Sequence, residues 1–100
     1  MTQKYNRPKL WTWRKTVTTA GTPVKLHDDL EIPDGYAVVI KALQGNTGFI
    51  YVGESEDRVT SNGFELDAGE SIGYRVTNAN KIWIDSSVDS ESICASVEIQ

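Results

Sequence analysis

PDGYAVVIKALQGNTGFIYVG, residues 33–53, is the stretch on which the fold turns. Pro33-Asp34-Gly35 reads as a turn, because proline presets one backbone angle and glycine accepts a conformation that side chains resist. Tyr36 to Leu43 then reads as a strand, with Tyr36, Val38 and Ile40 on one face and Val39 on the other. So continuous an apolar run predicts burial on both sides. Gln44 to Thr47 predicts a tight connection, and Phe49 to Val52 the returning strand of a hairpin.

The same pattern continues on either side. Glycine and proline recur at short intervals (Gly21, Pro23, Gly63, Gly69, Gly73), separated by brief runs of Val, Ile, Tyr, Trp and Thr. Trp11 to Thr19 alternates as a first strand or an extended arm. Val24 to His27 is a short strand stopped by the acidic loop Asp28 to Asp34. Glu54 to Asn62 is a polar loop, and Phe64 and Leu66 form a pair two apart ahead of the turn Asp67-Ala68-Gly69-Glu70. Ser71 to Thr77 alternates through Ile72, Tyr74 and Val76. Asn78 to Asn80 turns the chain into Ile82 to Ile84, and Ile93, Ala95, Val97 and Ile99 share one face of a closing strand. NTGF at 46–49 and SNGF at 61–64 use similar turn chemistry twice. No window sustains the i, i+3, i+4, i+7 apolar spacing of an amphipathic helix. The expected fold is all-β: a single small sandwich or barrel, jelly-roll-like, covering residues 16–100 behind an extended N-terminal arm, residues 1–15.

One hundred residues make one domain, and 39% hydrophobic with 24% charged residues is an ordinary globular composition. No run approaches the roughly 18 apolar residues of a membrane span. Met1 to Lys15 lacks the apolar core of a secretory signal, which leads us to expect a soluble protein made without export. Cys94 is the single cysteine, so no intrachain disulfide forms. Between Ile93 and Ala95 it is expected to be a small buried hydrophobe in a reducing compartment. Charge is uneven. Lys4, Arg7, Lys9, Arg14 and Lys15 are five of the ten bases and have no acid among them, whereas all fourteen acids follow. Such asymmetry marks an extension with surroundings unlike those of the domain behind it.

Residues suited to catalysis are few. His27 is the lone histidine, and its neighbours Asp28 and Asp29 point away from it in an extended chain. Asp28, Asp29, Glu31 and Asp34 could offer oxygen ligands to a cation but lack the calcium-loop pattern, and Glu54, Glu56 and Asp57 are equally unpatterned. Both clusters read as solvated loops. Neither phosphate-binding glycine motif is present, and no cofactor, metal or catalytic residue is expected.

The arm is more informative. Tyr5, Arg7, Lys9, Trp11, Trp13 and Arg14 interleave bases with aromatics. Single-strand nucleic-acid binders do this, but the acidic body argues against that partner. Trp, Tyr and Arg also anchor protein interfaces, and the arm is expected to dock on a protein surface. The alternative is that Trp11 and Trp13 pack on their own domain. Tyr51, Tyr74 and Trp83 could form an aromatic platform for sugars, or lie in the core.

Three segments carry a resemblance: IPDGYAVVIKALQGNTGFIYVG (32–53), NGFELDAGESI (62–72) and NANKIWIDSS (78–87). Together they resemble small β-rich structural proteins of tailed bacteriophages, of the head decoration (cement) type, over about residues 24–99. The resemblance implies a non-enzymatic virion protein, made in the host cytoplasm, that binds the major capsid protein on the head surface and stabilises the shell. It also implies self-association, with a homotrimer expected, and multiplied weak contacts. A neck or tail adaptor is the alternative within the virion, and a carbohydrate-binding module the alternative outside it. Residues 1–15 fall outside the resemblance; deleting them is expected to leave a folded domain.

Overall fold

Strict alternation sorts the first strand. In β1 (Leu10–Val17), Trp11, Trp13, Lys15 and Val17 turn inward, while Leu10, Thr12, Arg14 and Thr16 face out. The computed structural model describes residues 10–99. Seven further strands follow: β2 (Val24–Lys25), β3 (Tyr36–Ala42), β4 (Ile50–Gly53), β5 (Phe64–Leu66), β6 (Ser71–Tyr74), β7 (Trp83–Ser86) and β8 (Glu91–Ile99). Two antiparallel four-stranded sheets result, ordered β1-β8-β3-β6 and β2-β7-β4-β5. Their inner faces meet in one core, in which Val17, Val38, Ile40, Ile93 and Val97 of the first sheet pack with Leu26, Ile50, Val52, Leu66 and Ile84 from the second sheet's side. The chain is therefore an all-β sandwich.

Pairing is nested: β1 with β8, β2 with β7, β3 with β6, β4 with β5. Every connection crosses from one sheet to the other except β4–β5. That corrects the expected hairpin, because β3 and β4 lie in different sheets. The Asn46–Gly48 turn is an inter-sheet corner. One oxygen of the buried Glu91 carboxylate accepts the amides of Thr47 and Gly48 at 2.7 and 2.5 Å, and Ser87 Oγ accepts that of Phe49 at 2.8 Å. A side chain at Gly48 would collide with Ser87 Oγ. Asn46 completes the corner by exchanging two hydrogen bonds with the backbone of Ser92.

The Pro33–Gly35 turn forms as expected, whereas β3 and Cys94 are less buried than expected. Gly35 takes a φ of +84° and Tyr36 N–H donates to Pro33 carbonyl at 3.0 Å, as the turn reading requires. The outer side of β3 is covered only in part, with Ala37 buried, Val39 half-buried and Lys41 exposed. Cys94 is half-buried on the outer face of β8, between Arg14 and Lys41 on the neighbouring strands. The polar loop 54–62 contains one helical turn, α1 (Val59–Asn62). Val59 is fully buried against Gly53, where an added Cβ would stand 3.0 Å from the valine. This turn roofs the outer face of the second sheet.

Beneath that roof lies Asp85, fully buried. Its Oδ1 accepts the amides of Gly21 at 3.0 Å and Ser86 at 2.8 Å, and its Oδ2 accepts the Thr60 hydroxyl at 2.6 Å. One carboxylate thereby ties the β1–β2 crossing and α1 to β7. Asp85→Ala removes a buried acceptor from three donors, of which the Ser86 amide is buried and the Gly21 amide and Thr60 hydroxyl are partly so, and such a loss costs about 2–4 kcal/mol. Urea denaturation should show a loss of that size with an unchanged slope, whereas Ser61→Ala, at an exposed hydroxyl, should stay within about 0.5 kcal/mol.

Candidate binding cleft and attachment surface

The expected attachment residues divide. Tyr5, Arg7 and Lys9 lie outside the described residues. Trp11 and Trp13 occupy inward positions of β1 and pack against the core. Trp13 also closes the side of the sandwich: its Nε1 donates to the Leu26 carbonyl at 3.0 Å, and its ring meets His27 edge-on at 5.2 Å. Arg14 stands exposed on the outer face of the first sheet. Residues 10–15 thus belong to β1, so deleting residues 1–15 would remove most of an edge strand and with it two core-packing tryptophans. A cut after residue 9 leaves β1 whole.

The remaining candidates have identifiable local partners. His27 Nδ1 accepts the Asp29 amide at 3.1 Å. Asp29 Oδ1 accepts from Asn78 Nδ2 at 2.9 Å, helping to pin the acidic loop to the segment that leads into β7. Among the described residues, no three His, Cys, Asp or Glu side chains converge as a metal site requires. Tyr51 and Trp83 both face outward on the second sheet, and Lys25 Nζ sits 5.9 Å from the Trp83 ring centroid. Tyr74 is elsewhere, on the inner face of β6, so the three rings form no common platform.

Tyr74 instead lines a cleft of about 270 Å³ where the two sheets part at the β5–β6 edge. Val52, Val76 and Ile82 supply apolar surface, Phe64 and Tyr74 supply rings, and Glu54, Asn62 and Lys81 supply polar groups. Phe64 pairs with Val52 on the inner side of β5, a position that ordinarily belongs to the core, yet it is 55% exposed. The core is open at this corner. Two features hold the rim. A side chain at Gly63 would collide with the Val59 carbonyl, and Arg58 Nε donates to Glu54 Oε2 at 2.9 Å. The backbone amide of Glu54, and then Arg58, hold the Glu54 carboxyl below its ordinary value.

Sequence reasoning missed Phe64, Glu54, Asn62 and Lys81 as partners of Tyr74. With Tyr74 they come from four separate segments (Glu54, Asn62–Phe64, Tyr74 and Lys81), which the nested pairing brings together. The buried acids Asp85 and Glu91 were equally hidden, since nothing in their neighbourhoods distinguishes them from surface carboxylates.

Burial raises the Tyr74 phenol above its ordinary 10.0. The folded state therefore holds this proton longer than the unfolded chain does. Stability from this group is complete below about pH 10 and falls as pH rises through the folded value. Ultraviolet titration of the native protein should show one late-ionising tyrosine that disappears in Tyr74→Phe.

No family model, curated protein or solved structure matches the chain.

Proposed function

We propose that this chain is a non-enzymatic assembly module, a virion structural protein of the head decoration type. In this reading it sits on the outside of the head, binds the major capsid protein and reinforces the shell, with self-association as a homotrimer. The observation that carries the proposal is the asymmetry of the sandwich. The chain roofs the outer face of the second sheet with α1, whereas the outer face of the first sheet has no such roof among the described residues. That open face ends in β1, an eight-residue edge strand that among the described residues pairs only with β8. Edge strands are ready sites for adding a further strand from a partner. β1 also begins where the basic segment containing Lys4, Arg7 and Lys9 ends.

The outer face itself suits docking. Thr12, Ser96, Val39 and Gly73 form one row of small side chains across all four strands. The next row holds Arg14, Cys94, Lys41 and Ser71. Small residues allow close approach, and the two cations favour an acidic counterpart. The nested winding is jelly-roll-like, an arrangement that hosts viral capsid and lectin domains alike, so it does not choose between them. The likeness of residues 32–53, 62–72 and 78–87 to phage decoration proteins supports the first.

Quantitative mass spectrometry of gradient-purified particles, scaled to the major shell protein, tests the assignment. Copy numbers comparable to the shell protein are expected. A handful of copies would place the chain at the neck or tail, and absence would end the virion reading. Removing residues 1–9 should abolish particle binding while leaving the unfolding midpoint of the free domain unchanged; undiminished binding would take the role away from that segment.

A further inference from the structure

We propose that the cleft at the β5–β6 edge is a binding site for a neutral pyranose ring. The site is separate from β1 and from the open face of the first sheet, and it stands whether or not the chain belongs to a virion.

Its chemistry argues for that ligand class. An inward-facing phenylalanine left 55% exposed beside about 270 Å³ of space is apolar surface that the protein's own core does not cover. A second ring, Tyr74, belongs to the same cleft, together with Val52, Val76 and Ile82. Such surfaces cover the C–H face of a sugar ring, which is apolar, while the ring's edge carries hydroxyls that both donate and accept. Both kinds of partner line the cleft: the Tyr74 hydroxyl and Lys81 ammonium donate, Glu54 accepts, and the Asn62 amide does both. Among the described residues neither the Tyr74 hydroxyl nor the Lys81 ammonium makes a hydrogen bond.

Charge narrows the class further. Lys81 and Glu54 contribute opposite signs, and Glu54 is already paired with Arg58. The lining thus carries one charge of each sign rather than a cluster of either, with Arg58 beside Glu54 leaving a small positive excess; such a surface suits the hydroxyls of a neutral ring, and an anionic sugar tests whether that excess selects an anion. The cleft's volume suits one ring. An apolar side chain from a protein partner would match the rings but leave four polar residues without a role.

The test is a titration of the isotopically labelled full chain, followed by nuclear magnetic resonance. Glucose, galactose, mannose and N-acetylglucosamine are the probes, with glucuronic acid and indole as anionic and apolar controls. At least one neutral sugar should shift the amides of residues 52–54, 62–64, 74–76 and 81–82 and saturate in the millimolar range. Phe64→Ala, at an exposed ring, should weaken binding at least tenfold with the remaining spectrum intact. Tyr74→Phe should weaken it several-fold by removing the hydroxyl alone. Saturation by indole without any sugar response would overturn the proposal and favour a protein side chain. A stronger response to glucuronic acid than to the neutral sugars would overturn the neutral class, and no response to any probe would overturn the site.

Discussion

The last strand is the constraint on which everything else rests. β8 occupies an interior position of the first sheet, bonded to β1 along one edge and to β3 along the other. Three of its side chains, Ile93, Ala95 and Val97, supply the middle of the core. β1 and β8, at opposite ends of the described residues, must therefore meet before the first sheet exists, and this pairing closes a loop of more than seventy residues. Topologies built from such distant pairings fold slowly compared with local ones. Once formed, they hold both chain ends of the described domain in one sheet.

Nested pairing also explains where the polar residues are spent. A chain that crosses between sheets at almost every connection leaves many loop amides at the sandwich rim, and buried amides need partners. Two carboxylates meet much of that need. Glu91 takes the amides at the β3–β4 corner, and Asp85 takes one from the β1–β2 crossing together with the Thr60 hydroxyl. Asn78 plays a similar part between the acidic loop and the approach to β7, accepting the amides of Leu30 and Asn80. Asp67, Glu70 and Asp89 accept backbone amides in the same way nearer the surface. What remains uncommitted is the open face with its β1 edge on one flank, and the cleft on the other.

Much of the fold was legible because strands announce themselves by period. The pair Phe64 and Leu66 falls on β5, and of the set Ile93, Ala95, Val97 and Ile99 expected on one face of the closing strand the first three are buried, the side chain of Ile99 lying outside those described. What the period cannot carry is partnership. Asn46-Thr47-Gly48 has the composition of a hairpin turn, and only Glu91, more than forty residues later, makes it a corner. Trp13 sits in a basic, aromatic stretch that resembles an interface, yet the carbonyl of Leu26, just past β2, claims its indole nitrogen. The cleft was hidden for the same reason: Tyr74 reads as a companion of Tyr51 and Trp83, and Phe64, its neighbour across the sandwich edge, reads only as an alternating strand residue.

The central structural claim is that residues 10–17 are an integral edge strand and the platform from which the basic segment starts. Native-state hydrogen exchange of the full chain tests it most directly. β8 and β3 should be the slowest-exchanging elements, and β1 should show alternation, with amides aimed at β8 protected and those aimed at the free edge exchanging fast. Uniformly fast exchange across residues 11–17, at the rate of the exposed 54–57 loop, would contradict the account and make this segment an arm.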